Sequence, residues 1–421
     1  MTAETTITDL AELGRRYLLD PEFRNAPGAL FERLLADGRV LPVGGGLWLV
    51  AGFHEASTGL RDARFSRTAS GELEMDFMLS AADEQVRHAG ACVMHSMMML
   101  DPPEHSRVRK FFRAPFLPRS VAAWRADLER LCDRLLDAIP RDRVVDLKAA
   151  YAHPLPQQAM CRILGVPYED DEKFLRWGEA IVNIDRSGGA TDESLAPSRQ
   201  ANVEFCNYLG ELIARRRAEP VDDFLGGLID PDEDGDRLSD EELIGNLLLL
   251  VIAGHETTAN TIVSAVLLLM QHPEQWRRLV ADPGLASAVV EETLRLHGAQ
   301  RFNAPRVALE DVELGGHVIP KGDRVFFLTQ VINRDPGVFI DPATFDIDRE
   351  PNSHMAFGFG PHVCLGMHLA RLEMIVALEA LARRCPDLDL AVEPGELRGV
   401  TSPTLLGWES LPVRVGSEAR S

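Results

Sequence analysis

Residues 357–366 read Phe357-Gly358-Phe359-Gly360-Pro361-His362-Val363-Cys364-Leu365-Gly366, and this short run decides the fold. Three glycines and a proline surround a single cysteine, and a long helical pattern, 365–384, follows at once. Glycine lets the backbone turn tightly enough to aim amide N–H groups at the sulfur. A helix starting near Leu365 directs its positive end toward Cys364. Both effects favour thiolate over thiol and make Cys364 a candidate metal ligand. A zinc site is the competing reading, since His354, His362, Cys364 and His368 lie close together. Their spacing fits no compact zinc pattern.

Outward from this loop the chain has helical period at 120–139, 169–184, 198–218, 241–271 and 285–297. Strand signals are confined to 39–53, turning at Gly44-Gly45-Gly46, and to 306–328. The expectation is a mainly α fold with a small β region, one domain over 1–421. The polar stretch 186–197 reads as a loop joining two helices and a candidate mobile lid. The segment 241–271 is one helix of about 46 Å. At its centre sit Ala253-Gly254-His255-Glu256-Thr257-Thr258. Glycine and two threonines are poor helix formers, so this point is either a weak spot in a core helix or a deliberate opening. An acid followed by an alcohol suits a proton relay.

The 421 residues carry 44 Lys and Arg against 65 Asp and Glu, a formal charge of −21, which argues against nucleic acid as a partner. The chain starts without a basic segment and apolar core of signal-peptide type, and its most apolar run, 247–253, is too short to span a bilayer. The expectation is a cytoplasmic protein with no membrane anchor. Six scattered cysteines argue against a disulfide framework.

Phe357-Gly358-x-Gly360-x-His362-x-Cys364-x-Gly366, continued by Leu369-Ala370-Arg371-x-Glu373, resembles the haem-binding loop of the cytochrome P-450 family, specifically its soluble bacterial members. The likeness runs along nearly the whole chain in the family's motif order. It implies the cytochrome P-450 fold and haem b (iron protoporphyrin IX), with Cys364 as the iron ligand and Phe357, Gly358, His362 and Gly366 around the cofactor. Thiolate donation favours O–O cleavage. The central motif of 241–271 is similar to the family's oxygen-binding helix. The resemblance implies that Thr257 contacts O2, that Glu256 delivers protons through water, and that Ala253 and Gly254 form the groove. Glu292-Thr293-Leu294-Arg295 resembles the family's E-x-x-R motif, with Arg349 as the third, structural member. The motif around Asp101–Arg109 implies that His105 and Arg109 reach a haem propionate, joined by Arg306 and His362. Arginine suits this through bidentate geometry.

From 105 to 126 six basic residues stand with no acid between them: Arg107, Arg109, Lys110, Arg113, Arg119 and Arg125. We read Arg107, Arg109, Lys110 and Arg113 as a docking patch for an acidic ferredoxin, which with its reductase supplies electrons, since the chain has no flavin or nicotinamide fingerprint. The reaction implied is O2-dependent oxidation of a small organic substrate, most simply hydroxylation, in secondary metabolism, by a monomer. Ring or C–C coupling, desaturation, demethylation and peroxygenase chemistry use the same scaffold. A non-catalytic haem sensor or carrier is the reading from another class; an altered acid or threonine would have favoured it. Methionines at 75, 78, 94 and 97–99 read equally as core or as pocket lining. Gln300, Arg301 and Asn303 hint at polar substrate contacts.

Overall fold

The computed structural model describes residues 9–25, 28–79, 83–165, 170–182, 191–232 and 234–416. At its centre is the helix Asp240–Gln271, 32 residues or about 48 Å long. A capping box starts it: the Ser239 hydroxyl accepts from the Glu242 N–H, and the Glu242 carboxylate accepts from the Ser239 N–H. It is buried along most of its length because helices Glu84–Met94, Pro154–Ile163, Asp192–Ala218, Ala286–His297 and Met367–Arg384 all pack on it. By length and hydropathy it would cross a membrane, yet 72% of its apolar window is buried inside the protein. Apolarity on every face is what a fully surrounded core helix requires.

Strands form in both expected regions, but Phe65–Ser66 and a separate sheet of Val144–Asp146, Pro412–Arg414 and Asp389–Leu390 lie outside them, which corrects the expectation that strands are confined to 39–53 and 306–328. Val40–Gly44 and Leu47–Val50 form an antiparallel hairpin through the Gly44–Gly46 turn. Leu47–Val50 then pairs in parallel with Arg324–Phe327, which pairs antiparallel with Arg306–Ala308, and Phe65–Ser66 closes a five-stranded sheet. Val312–Leu314 and His317–Ile319 make a separate hairpin.

Two expectations are corrected. The run 120–139 is two helices, Pro118–Ala122 and Arg125–Asp137. Within 186–197, residues 192–197 are not loop: a Thr191/Ser194 capping box starts the helix Asp192–Ala218, and Pro197 is inside its first turns. Proline at this sixth position lacks the N–H that would donate to the Glu193 carbonyl, so the helix runs on with one internal hydrogen bond fewer. The remainder of the candidate lid, 186–190, lies outside the described residues.

Candidate active site

The cysteine loop is held from within. The Cys364 N–H donates to the Phe357 carbonyl at 2.8 Å, closing the turn, and Gly358 and Gly360 have φ of +76° and +75°. A Cβ at Gly360 would stand 2.6 Å from the Leu60 carbonyl oxygen, so backbone approach as well as φ requires glycine. Gly366 has an ordinary φ and nothing within 4 Å of where its Cβ would be. It caps the helix Met367–Arg384. The Phe357 ring carries the Arg371 guanidinium at 4.6 Å, and Arg371 donates to Glu291, which also pairs with His354.

Cys364 is ringed by protein, yet the residue itself keeps accessible surface. Burial raises the thiol pKa more than the Gly366 N–H, Arg109 and Arg371 lower it. The loop and helix end therefore do not by themselves produce the thiolate expected from the sequence. A coordinated metal ion does, because it deprotonates a thiol outright.

Basic groups converge beside the loop. The His105 and His362 rings are 4.2 Å apart, and both nitrogens of His105 are buried without a hydrogen-bond partner. Arg109 donates to the Val363 carbonyl at 2.7 Å, and Arg306 is 5% exposed. Burial, then the neighbouring arginines, push His105 down to about 4 and His362 to about 2. Burial and Arg67 lower Arg306 to about 10, with Asp101 and Glu74 offsetting only in part. Orphaned nitrogens among mutually repelling cations fit a ligand bearing carboxylates, as haem's propionates do. Arg67 is a member of this group that sequence reading missed. It is buried, pairs with Glu74 and donates to the Met99 sulfur; no motif marks it.

On the long helix, Ala253 is exposed and Thr257 half-buried, one turn apart on one face, while His255, Glu256 and residues 258–260 are buried. The Thr257 hydroxyl donates to the Ala253 carbonyl at 2.7 Å. Gly254 is not part of that face: its Cβ would meet the Met160 methyl at 2.7 Å. The glycine lets helix Pro154–Ile163 approach, which corrects its expected place in the groove. Glu256 turns to a third side. Its Oε1 is 2.9 Å from His153 Nε2, and its Oε2 accepts from Asn260 at 3.1 Å. Burial pushes Glu256 up, but the His153 hydrogen bond, Lys148 and the histidine charges outweigh it and hold the carboxyl at about 2. Glu256 and Asn260 also line a cleft of about 270 Å³ with Lys148, Ser402 and Glu409. His153, directly before a proline, gave no signal in the sequence.

Glu292, Arg295 and Arg349 come together as expected. Arg295 grips both Glu292 oxygens at 2.7 and 2.8 Å, Arg349 Nε reaches them at 3.1 and 3.2 Å, and Asn352 and the Asp346 N–H complete the shell. Both arginines also donate to carbonyls between 333 and 344, so the triad fastens the segment leading to the cysteine loop.

Three other expectations change. The basic run is not bare: Arg107 pairs with Glu242 and Asp236, and Lys110 with Asp232 and Asp234, because the acidic turn folds against it. Arg113 and Arg119 stay exposed. Arg301 is 1% exposed and donates to Leu405, Arg24 and Asn25, tying chain segments together, and Asn303 bonds Thr329. Met97 packs in the apolar core.

The family model for cytochrome P450 matches residues 198–282 and 284–387. The chain is 38% identical over 420 residues to the cytochrome P450 monooxygenase PikC of Streptomyces venezuelae, covering 98% of this chain and 95% of that one. It is 37% identical to 6-deoxyerythronolide B hydroxylase of Saccharopolyspora erythraea, covering 87% and 90%. Among solved structures, the bacillaene polyketide synthase cytochrome P450 PksS of Bacillus subtilis superposes with a TM-score of 0.83 at 32% identity, covering 94% and 98%. The interior cysteine, the cationic cradle beside it and the full-length likeness have one reading: the chain belongs to the cytochrome P450 family and is a haem-b monooxygenase that binds its cofactor through a cysteine thiolate.

Proposed function

We propose that residues 1–421 form one catalytic unit that hydroxylates a small organic substrate of secondary metabolism in the cytoplasm, with electrons from an external acidic ferredoxin. Cys364 would hold haem, with His105, Arg109, Arg306 and His362 for its propionates, and the cofactor would supply the activation of O2. The chain's residues supply position and protons. The observation that carries this reading is the division of labour on the long helix. Ala253 and Thr257 present a small, hydroxyl-bearing face, while Glu256, one residue back, is anchored beside a cleft. Thr257 shares its proton with the Ala253 carbonyl and so has a lone pair to accept one from water. Glu256 is anionic at neutral pH and, at the edge of the cleft, is placed to accept hydrogen bonds from water and so order a path for protons. The two side chains do not bond each other, so water completes the path. A relative named for polyketide biosynthesis and another named as a hydroxylase support a reading of hydroxylation in secondary metabolism. Electron donor docking falls to Arg113 and Arg119, whose charges are exposed.

Turnover of a substrate panel under isotopically labelled O2, with a ferredoxin and its reductase, tests this. One labelled oxygen in the product is the expected result; products formed without label overturn hydroxylation. Cys364→Ser is expected to abolish the thiolate-type Soret band of the reduced carbon monoxide complex, and its persistence would refute the ligand assignment.

A further inference from the structure

Where the long helix meets the start of helix Pro154–Ile163, His153, His255 and Glu256 form a buried cluster in which one potential ligand atom from each lies within 4.8 Å of the others. His153 Nε2 is 2.9 Å from Glu256 Oε1, and the two imidazole rings meet edge to face with centroids 4.0 Å apart. His255 Nε2 is buried with no hydrogen-bond partner. A desolvated ring nitrogen is costly unless a partner satisfies it.

We infer that these three residues form a binding site for a divalent transition metal of the zinc type. Two imidazoles and a carboxylate are a donor set suited to zinc, cobalt or nickel. Zinc bonds of about 2.0–2.1 Å place tetrahedral donors about 3.3 Å apart, a spacing inside the 2.9–4.8 Å span of this cluster. Asn260 holds Glu256 Oε2 at 3.1 Å, which orients the carboxylate and leaves Oε1 on the histidine side, as an outer-shell partner does. The three donors come from two rigid supports, the start of helix Pro154–Ile163 and the centre of Asp240–Gln271. The cleft that reaches Glu256 opens the carboxylate side of the cluster, though neither histidine lines it. Charges facing the cluster are Lys148, which opposes a cation, and Glu409 across the cleft, which favours it. Nothing in the oxidation chemistry uses His255.

Occupancy withdraws Glu256 from proton transfer, so the metal acts as an inhibitor; this consequence rests on the relay proposed above, and the binding site does not. Equilibrium dialysis of the haem-loaded protein against zinc chloride, with bound zinc measured by elemental analysis, tests the site. One zinc equivalent is expected above the His255→Gln background, with affinity more than tenfold weaker in both His255→Gln and His153→Gln. The second variant, on a different helix, keeps the test readable when the first does not fold. Equal zinc binding by wild type and a folded variant overturns the site. In coupled turnover, zinc is expected to raise peroxide formed per product in wild type and to leave His255→Gln unchanged. A bound equivalent that does not alter coupling upholds the site and overturns the Glu256 relay instead.

Discussion

Two buried glutamates sit on neighbouring helices and have opposite surroundings. Glu292 is saturated: two arginines, an asparagine and a backbone N–H fill its acceptor sites. Its partners are permanent cations whose remaining N–H groups donate to carbonyls. Glu256 has a histidine and an asparagine, a neighbouring imidazole nitrogen left unpaired, and a cleft at its edge. A fully matched network has one arrangement and holds the fold in it. A partly matched one next to solvent can exchange protons or accept a cation. The difference separates a structural carboxylate from a chemical one more sharply than burial does, since Glu292 is 0% and Glu256 6% exposed.

The comparison can be broken first at Glu292. Glu292→Ala strands two buried guanidinium groups and is expected to cost about 3–5 kcal/mol. Thermal unfolding and haem content should both fall steeply; a variant that loads haem and melts as wild type does would show that the triad is dispensable. Thr257→Ala, on the chemical side, is expected to leave the melting temperature nearly unchanged. It should lower product formed per electron by on the order of a hundredfold, the low end for a positioned proton donor. Unchanged coupling would remove the relay.

Gly254→Ala asks whether the turn next to Glu256 is shaped for chemistry or for packing. The added methyl meets a flexible methionine end, so the expected loss is about 1 kcal/mol, with the spin state unaltered and recovery in Gly254→Ala/Met160→Ala. A spectral change without loss of stability would return Gly254 to the groove.

The smallest effect concerns His297, at the end of the helix that carries Glu292. Burial, then Arg334 and Arg295, lower it to about 4 from the usual 6.5. A depressed histidine contributes stability that is complete above pH 6.5. That contribution is lost as pH falls toward 4, because the unfolded chain takes up the proton first. Denaturant titrations of His297→Gln should show a shallower loss of stability than wild type across that window, and identical slopes would disprove it.

What could be read from the sequence was chemistry carried by neighbours along the chain. Residues 357–366 fix a tight turn before a helix through positive-φ glycines, and the Glu292/Arg295 pair is one helical turn apart, so local geometry delivers both. The strand regions 39–53 and 306–328 and the long helix were legible for the same reason, as periodicity is a local property, whereas the strands at 65–66, 144–146, 389–390 and 412–414 are too short to show one. Contacts across the fold were not. The acidic turn that covers Arg107 and Lys110 lies more than 120 residues away from them. His153 reaches Glu256 across 103 residues, and Arg301 is consumed by carbonyls at both ends of the chain. A side chain's charge is written in the sequence, but its partner is chosen by packing. Only the tertiary structure therefore decided which cations stayed exposed, which glycine served packing and which buried carboxylate was left unsaturated.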